Sequence, residues 1–230
     1  TAVATISGST ITIVGIGSTT FTVTQAANGN YGSANATATL TVTAATPTLT
    51  ASLSATSVVY ASTAPTLSYT SNSSGAVTYT SSNTAVATVS GSTITIVGVG
   101  STTFTATQAA NGNYDTATST VTLTVTTATP TLSGFALSSS SVVYGASAPT
   151  ITAPTSPSSG ALSYTSSNTA VATVSGSTIT IVGIGTTTFT ATQAANGNYA
   201  SGTATASLTV TAATPTLSGF ALSSSSVVYG

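Results

Sequence analysis

The chain has 230 residues with no Lys, Arg or His and a single acidic residue, Asp115, so its formal net charge is −1. Without cations it cannot neutralise phosphates, which excludes nucleic-acid binding by counterion release and basic attachment to anionic membranes. The absence of Cys excludes disulfides. The sequence contains no run of about 18 apolar residues, so it predicts no membrane-spanning segment.

One stretch, Thr84–Gly98, occurs three times in nearly identical form. The copies begin at Thr1, Thr84 and Thr169, which are 83 and 85 residues apart. Solenoid units run about 20 to 50 residues, so this longer spacing predicts a tandem array of small domains.

The tetrapeptide Thr-Pro-Thr-Leu marks the boundaries of the repeats. It begins at Thr46, Thr129 and Thr214, each time after a link rich in Thr and Ala. The predicted domains are the C-terminal half of a repeat (1–44), two complete repeats (45–127 and 128–212) and the start of a further repeat (213–230).

The first complete repeat contains seven strand-like runs, most of which alternate between apolar and hydroxyl side chains. Such alternation is typical of a strand with one buried face. The runs are Thr48–Leu53, Pro65–Thr70, Ala76–Ser81, Ala85–Ser90, Thr93–Val97, Thr102–Ala109 and Thr118–Thr126.

The breaks between the runs have turn-forming sequences, such as Ser90-Gly91-Ser92, Gly98-Val99-Gly100 and Asn111-Gly112-Asn113. We expect the last three runs to form an antiparallel meander, and no segment has a helical pattern. Seven short strands in a domain of this length predict an all-β fold of tandem immunoglobulin-like β-sandwiches with essentially no helix.

The second complete repeat differs most where the first has Pro65–Gly75. The corresponding stretch, Pro149–Gly160, is one residue longer and includes Pro154 and Pro157. Proline cannot donate a hydrogen bond to a sheet, so we expect an edge or a loop here.

Three stretches carry a family resemblance: Ser82–Val89, Gly98–Ala109 and Asn113-Tyr114. With them, the whole chain resembles the bacterial Ig-like tandem repeats of large surface proteins and invasin/intimin-type adhesins. The resemblance implies an extracellular or cell-surface location and a role as spacer, stalk or adhesive module. Members of that family usually carry far more charge than this chain.

The sequence lacks most of the side chains that perform catalysis. With no His, Cys, Lys, Arg or Glu, we predict no enzyme activity, no cofactor and no catalytic residue. Calcium sites need several oxygen ligands, mostly carboxylates, so we predict no metal site and interpret Asp115 as a solvated loop residue.

Gln and Tyr each recur once per repeat. Gln25, Gln108 and Gln193 could form a Thr–Gln ester only with an assisting acid or His, so we interpret each as a polar residue at a strand end. The Tyr of each Asn-Gly-Asn-Tyr loop is a candidate contact residue for a sugar or an adhesive partner, or else packs over the end of the sandwich. These residues are Tyr31, Tyr114 and Tyr199.

Two sequons are candidate N-glycosylation sites. They are Asn35-Ala36-Thr37 and Asn72-Ser73-Ser74, and neither occurs in every repeat.

Without charged residues at strand edges, β-sheets pair readily with other chains. We therefore expect self-association, with the chain acting as the structural repeat of an extracellular fibre, sheath or stalk. The alternative is an adhesin whose inter-strand loops bind glycans or cell surfaces. If residues 213–230 of one copy were joined to residues 1–44 of the next, the resulting domain would lack the equivalent of residues 146–168. We therefore expect either a polypeptide that continues beyond both ends or partner chains that donate strands.

Overall fold

The computed structural model describes residues 2–230, and Thr1, the first residue of the predicted half-repeat 1–44, lies outside the described residues. The chain divides into two compact units, Thr1–Thr127 and Ala128–Gly230. The predicted all-β fold class is confirmed, because residues 2–230 contain twenty strands and no helix. Within that range there is accordingly no apolar helix of membrane-spanning length.

The first unit contains twelve strands. They are β1 (Ala4–Ser7), β2 (Thr10–Ile13), β3 (Gly17–Gln25), β4 (Ala34–Val42), β5 (Leu49–Leu53), β6 (Ser57–Val59), β7 (Leu67–Ser71), β8 (Val77–Ser81), β9 (Ala87–Ser90), β10 (Thr93–Ile96), β11 (Gly100–Gln108) and β12 (Ala117–Thr126).

The second unit contains eight strands. They are β13 (Ala136–Leu137), β14 (Ser141–Val143), β15 (Ile151–Thr152), β16 (Leu162–Ser166), β17 (Ala172–Ser175), β18 (Thr178–Ile181), β19 (Gly185–Gln193) and β20 (Gly202–Thr211).

Residues 45–127, the first predicted complete repeat, form a sandwich of two layers. One layer is a four-stranded sheet in the order β6-β12-β11-β8, in which only β6 and β12 are parallel. The other layer consists of the pairs β5–β7 and β9–β10. Phe104 and Leu123 of the first layer meet Leu67 and Ile94 of the second in one buried cluster. Burial of each such side chain contributes about 1.5–3 kcal/mol.

The repeat 128–212 has the same arrangement. Its four-stranded sheet is β14-β20-β19-β16, and the other layer consists of β13–β15 and β17–β18. Phe189, Leu208 and Ile179 occupy the core positions of Phe104, Leu123 and Ile94. Strand β15 is two residues long where β7 has five, and the following Pro154 and Pro157 account for the shortening. The prediction of an edge or loop in this stretch is confirmed.

Two features of the fold differ from the predictions. Each complete repeat has eight strands, because the three-residue strands β6 and β14 were not predicted. The expected meander is wrong in part: β11 and β12 pair over nine residues, but β10 pairs with β9 in the opposite layer. Both edges of β11 are occupied by β8 and β12, so Gly98-Val99-Gly100 crosses between the layers instead of forming a hairpin.

The half-repeat 2–44 has only the hairpins β1–β2 and β3–β4. Residues 213–230, the predicted start of a further repeat, contain no strand.

Candidate functional site

The outer surface of the β11–β12 hairpin is lined entirely by hydroxyl groups. Since side chains alternate along a strand, burying Phe104 and Leu123 points the intervening residues outward. We call this surface of paired Ser and Thr residues the hydroxyl face. Its cross-strand pairs are Ser101–Thr124, Thr103–Thr122, Thr105–Thr120 and Thr107–Thr118.

The same face occurs on the two other long hairpins. On β19–β20 its pairs are Thr186–Thr209, Thr188–Ser207, Thr190–Thr205 and Thr192–Thr203. On β3–β4 they are Ser18–Thr41, Thr20–Thr39 and Thr22–Thr37, followed by Thr24–Asn35, in which an amide replaces one hydroxyl. Side-chain oxygens meet across the strands in each copy, at 3.2 Å for Thr103 and Thr122 and at 3.3 Å for Thr188 and Ser207. The chain thus presents one uncharged surface three times.

A buried glutamine lies at one end of each complete sandwich. The Gln108 side chain is fully buried; its amide nitrogen donates to the carbonyl oxygens of Ser73 (2.9 Å) and Gly75 (3.0 Å). Its amide oxygen accepts a hydrogen bond of 2.6 Å from the Ser71 hydroxyl. We call Gln108 with Ser71, Ser73 and Gly75 the glutamine cluster. The interpretation of Gln108 as a polar residue at a strand end is confirmed.

The glutamine cluster recurs in the second complete repeat. Gln193 donates to the carbonyl oxygens of Ser158 (2.9 Å) and Gly160 (3.0 Å) and accepts from the Ser156 hydroxyl (2.6 Å). Its partners were not predicted. The sequence signal that could have identified them is the motif Ser-x-Ser-Ser-Gly, shared by residues 71–75 and 156–160.

A second buried hydroxyl cluster lies at the other end of β11. The Thr102 hydroxyl is 2.8 Å from that of Ser81 and accepts from the backbone amide of Asn83 at 3.0 Å. The hydrogen bonds of this cluster stabilise the end of the sandwich.

Two tyrosines lie side by side on the β7–β8 side of the first sandwich. The ring centroids of Tyr69 and Tyr79 are 6.5 Å apart with the rings tilted by 59°. Burial raises the pKa of the Tyr79 hydroxyl, and the neighbouring Tyr69 adds to the increase. The Tyr79 hydroxyl therefore remains neutral at physiological pH and adds no charge to the surface.

The Asn-Gly-Asn-Tyr loop of the first complete repeat holds adjacent segments together. The backbone carbonyl of Asn113 accepts from the amide of Ala45 at 2.9 Å, and the amide of Asp115 donates to the Ala45 carbonyl at 2.8 Å. The Asn113 side-chain oxygen also accepts from the amide of Ile16 in the half-repeat at 3.1 Å. This loop thus joins the link at residue 45 and the half-repeat to the sandwich.

The three candidate contact tyrosines differ in exposure. Tyr31 is 82% exposed, whereas Tyr114 and Tyr199 are half-buried. In the second unit the amide of Ala200 donates to the Ala128 carbonyl at 2.8 Å, so the link is held beside Tyr199 as it is beside Tyr114. The complete repeats present less of this ring than the half-repeat does.

Replacing Asn113 with alanine is expected to remove the bond to Ile16. The loss of one hydrogen bond corresponds to about 0.5–1.5 kcal/mol, so exchange of the Ile16 amide should accelerate about two- to tenfold. Hydrogen exchange followed by NMR measures this rate. The control is Asn30→Ala, the same position in the half-repeat's own loop; equal acceleration in both variants would contradict the role of Asn113.

The remaining candidate residues lie at the surface. Asn35 is exposed in β4, and exposed Asn72 accepts a hydrogen bond from the Thr48 amide at 2.9 Å. Glycosylation of either remains a prediction. Asp115 is exposed, and its carboxylate accepts from the Thr116 amide at 2.7 Å. No cluster of three or more metal-ligating side chains occurs in the described part of the chain.

No protein-family model and no curated protein sequence matches the chain. Among solved structures, domains 1–6 of the surface layer protein SbsC superimpose with a TM-score of 0.29 and 16% identity over 90% of this chain and 37% of that one. A SusE-like surface-located polysaccharide-binding protein from Bacteroides thetaiotaomicron superimposes with a TM-score of 0.27 and 16% identity, over 84% of this chain and 43% of that one. Drosophila N-cadherin EC1-3 superimposes with a TM-score of 0.27 and 11% identity, over 85% of this chain and 78% of that one. Similarity at this level assigns neither a family nor a function to the chain.

Proposed function

We propose that the chain is a structural repeat segment of an extracellular or cell-surface fibre, sheath or stalk, which self-associates through its hydroxyl faces. The observation that carries this proposal is the threefold occurrence of the same uncharged face on β3–β4, β11–β12 and β19–β20. A surface with many side-chain hydroxyls and threonine methyl groups can contact an identical surface without desolvating any charge, whereas burying an unpaired charge is costly.

The composition supports association rather than dispersal. Soluble proteins remain apart through net charge and protect sheet edges with Lys, Glu or Pro. This chain has a formal net charge of −1 in 230 residues, so electrostatic repulsion between copies is minimal.

Charge placed on the hydroxyl faces is expected to prevent association. The variant Thr39→Lys, Thr122→Lys, Ser207→Lys adds one cation to each face at exposed positions. Repulsion should raise the concentration needed for association at least about tenfold, or about 1.4 kcal/mol, at low ionic strength. Molar salt should restore association because it screens the charges. Light scattering across a concentration series measures the effect.

The matched control is Thr39→Gln, Thr122→Gln, Ser207→Gln, which adds long side chains without charge. We expect it to associate at the concentration of the unmodified chain. Equal association of the Lys variant at low salt would contradict a role for the hydroxyl faces.

The alternative function is glycan binding by an adhesin, and the observation that favours it is the 82% exposure of the Tyr31 ring. An exposed ring face can stack on a sugar. If this alternative is correct, Tyr31→Ala should abolish binding to a glycan array while Tyr114→Ala, at a half-buried ring, should reduce it less. An array with no glycan bound by the unmodified chain would exclude this function for the segment.

A further inference from the structure

An open groove of about 420 Å³ lies on the first complete repeat, between strands β7 and β8 and the turn that joins β9 to β10. This volume is within the range of about 300–1,000 Å³ that is typical of small-ligand sites. We call it the tyrosine groove. It is lined by two aromatic rings, two aliphatic side chains and two serines: Tyr69, Tyr79, Leu67, Val77, Ser68 and Ser92. None of the described residues that line it is charged.

The two tyrosines of the groove offer ring surface and hydroxyl groups together. Tyr69 is 45% exposed and Tyr79 is half-buried, with the ring centroids 6.5 Å apart and the rings tilted by 59°. Neither tyrosine hydroxyl forms a hydrogen bond with another residue in the described part of the chain. A tyrosine hydroxyl beside a buried ring usually has a partner, so these two are available to a ligand.

The corresponding groove of the second complete repeat has no aromatic lining. It measures about 320 Å³ and lies beside Ile151. The equivalent registers of β13 on β15 and of β5 on β7 align Ile151 with Leu67. Ala153 therefore stands where the first repeat has Tyr69.

The tyrosine that remains in the second repeat is covered by another ring. Tyr164 of β16 corresponds to Tyr79 of β8, because the two have equivalent registers on β19 and β11. Phe135 stacks on Tyr164, with ring centroids 5.8 Å apart and planes inclined by 22°. The first repeat has Ala51 in place of Phe135. The two repeats thus differ in whether tyrosine rings face the groove.

We propose that the tyrosine groove binds a neutral saccharide. The apolar C–H face of a pyranose packs on an aromatic ring, and its hydroxyls exchange hydrogen bonds with the tyrosine and serine hydroxyls around it. An acidic saccharide would bring its anionic group into a groove that has no cation, at a cost in desolvation. Neutral hexose chains are therefore the ligand class that the groove accepts. Saccharide binding here is additional to the proposed structural function and does not require self-association.

Titration of the 230-residue chain with neutral oligosaccharides tests this site. The probes are cellohexaose, maltohexaose and mannohexaose, and trigalacturonate is the acidic comparison. Saturation-transfer NMR observes the ligand, so it works on single chains and on assemblies alike. At least one neutral probe should bind, and the acidic probe should bind at least about tenfold more weakly.

Three variants locate the binding. Tyr69→Ala removes the more exposed ring and should weaken binding at least about tenfold, with the fold checked by circular dichroism. Tyr69→Phe keeps the ring and loses one hydroxyl, so binding should weaken less, by about two- to tenfold. The matched control Tyr164→Phe alters the equivalent tyrosine, which Phe135 covers, and should leave the affinity unchanged.

Three results would overturn the proposal: no neutral probe bound, equal affinity for the acidic probe, or full affinity in Tyr69→Ala. Binding that is lost in Tyr31→Ala and kept in Tyr69→Ala would assign the saccharide to the half-repeat's loop instead. Self-association lost in Tyr69→Ala, with no saccharide bound by the unmodified chain, would make the groove a contact between copies. That last result would overturn saccharide binding and leave the proposed structural function intact.

Discussion

Replacing Phe104 with alanine is expected to destabilise the repeat 45–127 by about 3–5 kcal/mol. The Phe104 ring is 0% exposed and packs between the two layers, against Leu67, Ile94 and Leu123. The loss combines the transfer free energy of the ring with the cavity it leaves. A domain of this length has a total stability of about 4–12 kcal/mol, so the repeat should be largely unfolded or close to it.

Hydrogen exchange with mass spectrometry measures this effect repeat by repeat. Amides of β11 and β12 should lose protection while those of β19 and β20 retain it, since Phe189 is unchanged. The control is Phe220→Ala, whose ring is 93% exposed, and we expect no loss of protection from it. A Phe104→Ala variant as stable as Phe220→Ala would contradict the two-layer core.

Replacing Gln108 with alanine is expected to destabilise the same repeat by about 2–4 kcal/mol. The substitution removes three hydrogen bonds and leaves the carbonyl oxygens of Ser73 and Gly75 without their donor in a largely buried site. Leaving a buried polar group unsatisfied costs about 1–3 kcal/mol. Equilibrium urea unfolding gives the change. The chain offers its own control: Gln25 occupies the same strand position in the half-repeat but is exposed, so Gln25→Ala should change stability by less than about 0.5 kcal/mol.

The variant Gln108→Glu separates hydrogen bonding from side-chain volume. It keeps the shape of the side chain but replaces the donor amide with an acceptor that faces two carbonyl oxygens. At neutral pH we therefore expect it to lose at least as much free energy of unfolding as the alanine variant does. Burial should raise the pKa of the introduced carboxyl above its unfolded value. Stability should therefore be recovered in part as the pH falls through that pKa. A fully stable Gln108→Glu variant at neutral pH would contradict the glutamine cluster.

Much of the fold follows from side-chain alternation alone. In β12 the period of two places Leu123 and Val125 inward and Thr122 and Thr124 outward, as the structure has them. The Asn-Gly signal also identified the turn between β11 and β12. These features depend on residues close in sequence, so local patterns determine them.

The missed features depend on contacts between distant residues. Strand β6 has three residues, too few to show a period, and it forms only by pairing with residues 124–126. Gly98-Val99-Gly100 has the residues of a turn, but which layer β10 joins is decided by the edges that β8 and β12 already occupy on β11.

The candidate site likewise has some features that local sequence patterns predict and others that they do not. The hydroxyl faces could be predicted, because they are the other half of the alternation that defines the core. The partners of Gln108 could not, since they lie 33 to 37 residues away. The contact between Asn113 and Ile16 spans 97 residues, and no local pattern indicates it.

Association should also be insensitive to pH over the physiological range. The sequence contains no His or Cys, the side-chain types whose reference pKa values lie between about 5 and 9. Turbidity of assembled material is expected to stay constant between about pH 5 and pH 9. A sharp transition inside that interval would require a titrating partner that the chain does not provide.

Sedimentation velocity of the unmodified 230-residue chain tests self-association through uncharged faces most directly. Runs at increasing protein concentration, in sodium chloride from about 10 mM to 1 M, span the range from weak to nearly complete screening. The account predicts assemblies that grow with protein concentration and persist at every salt concentration. A monomer at all protein concentrations, or assemblies dissolved by salt alone, would contradict it.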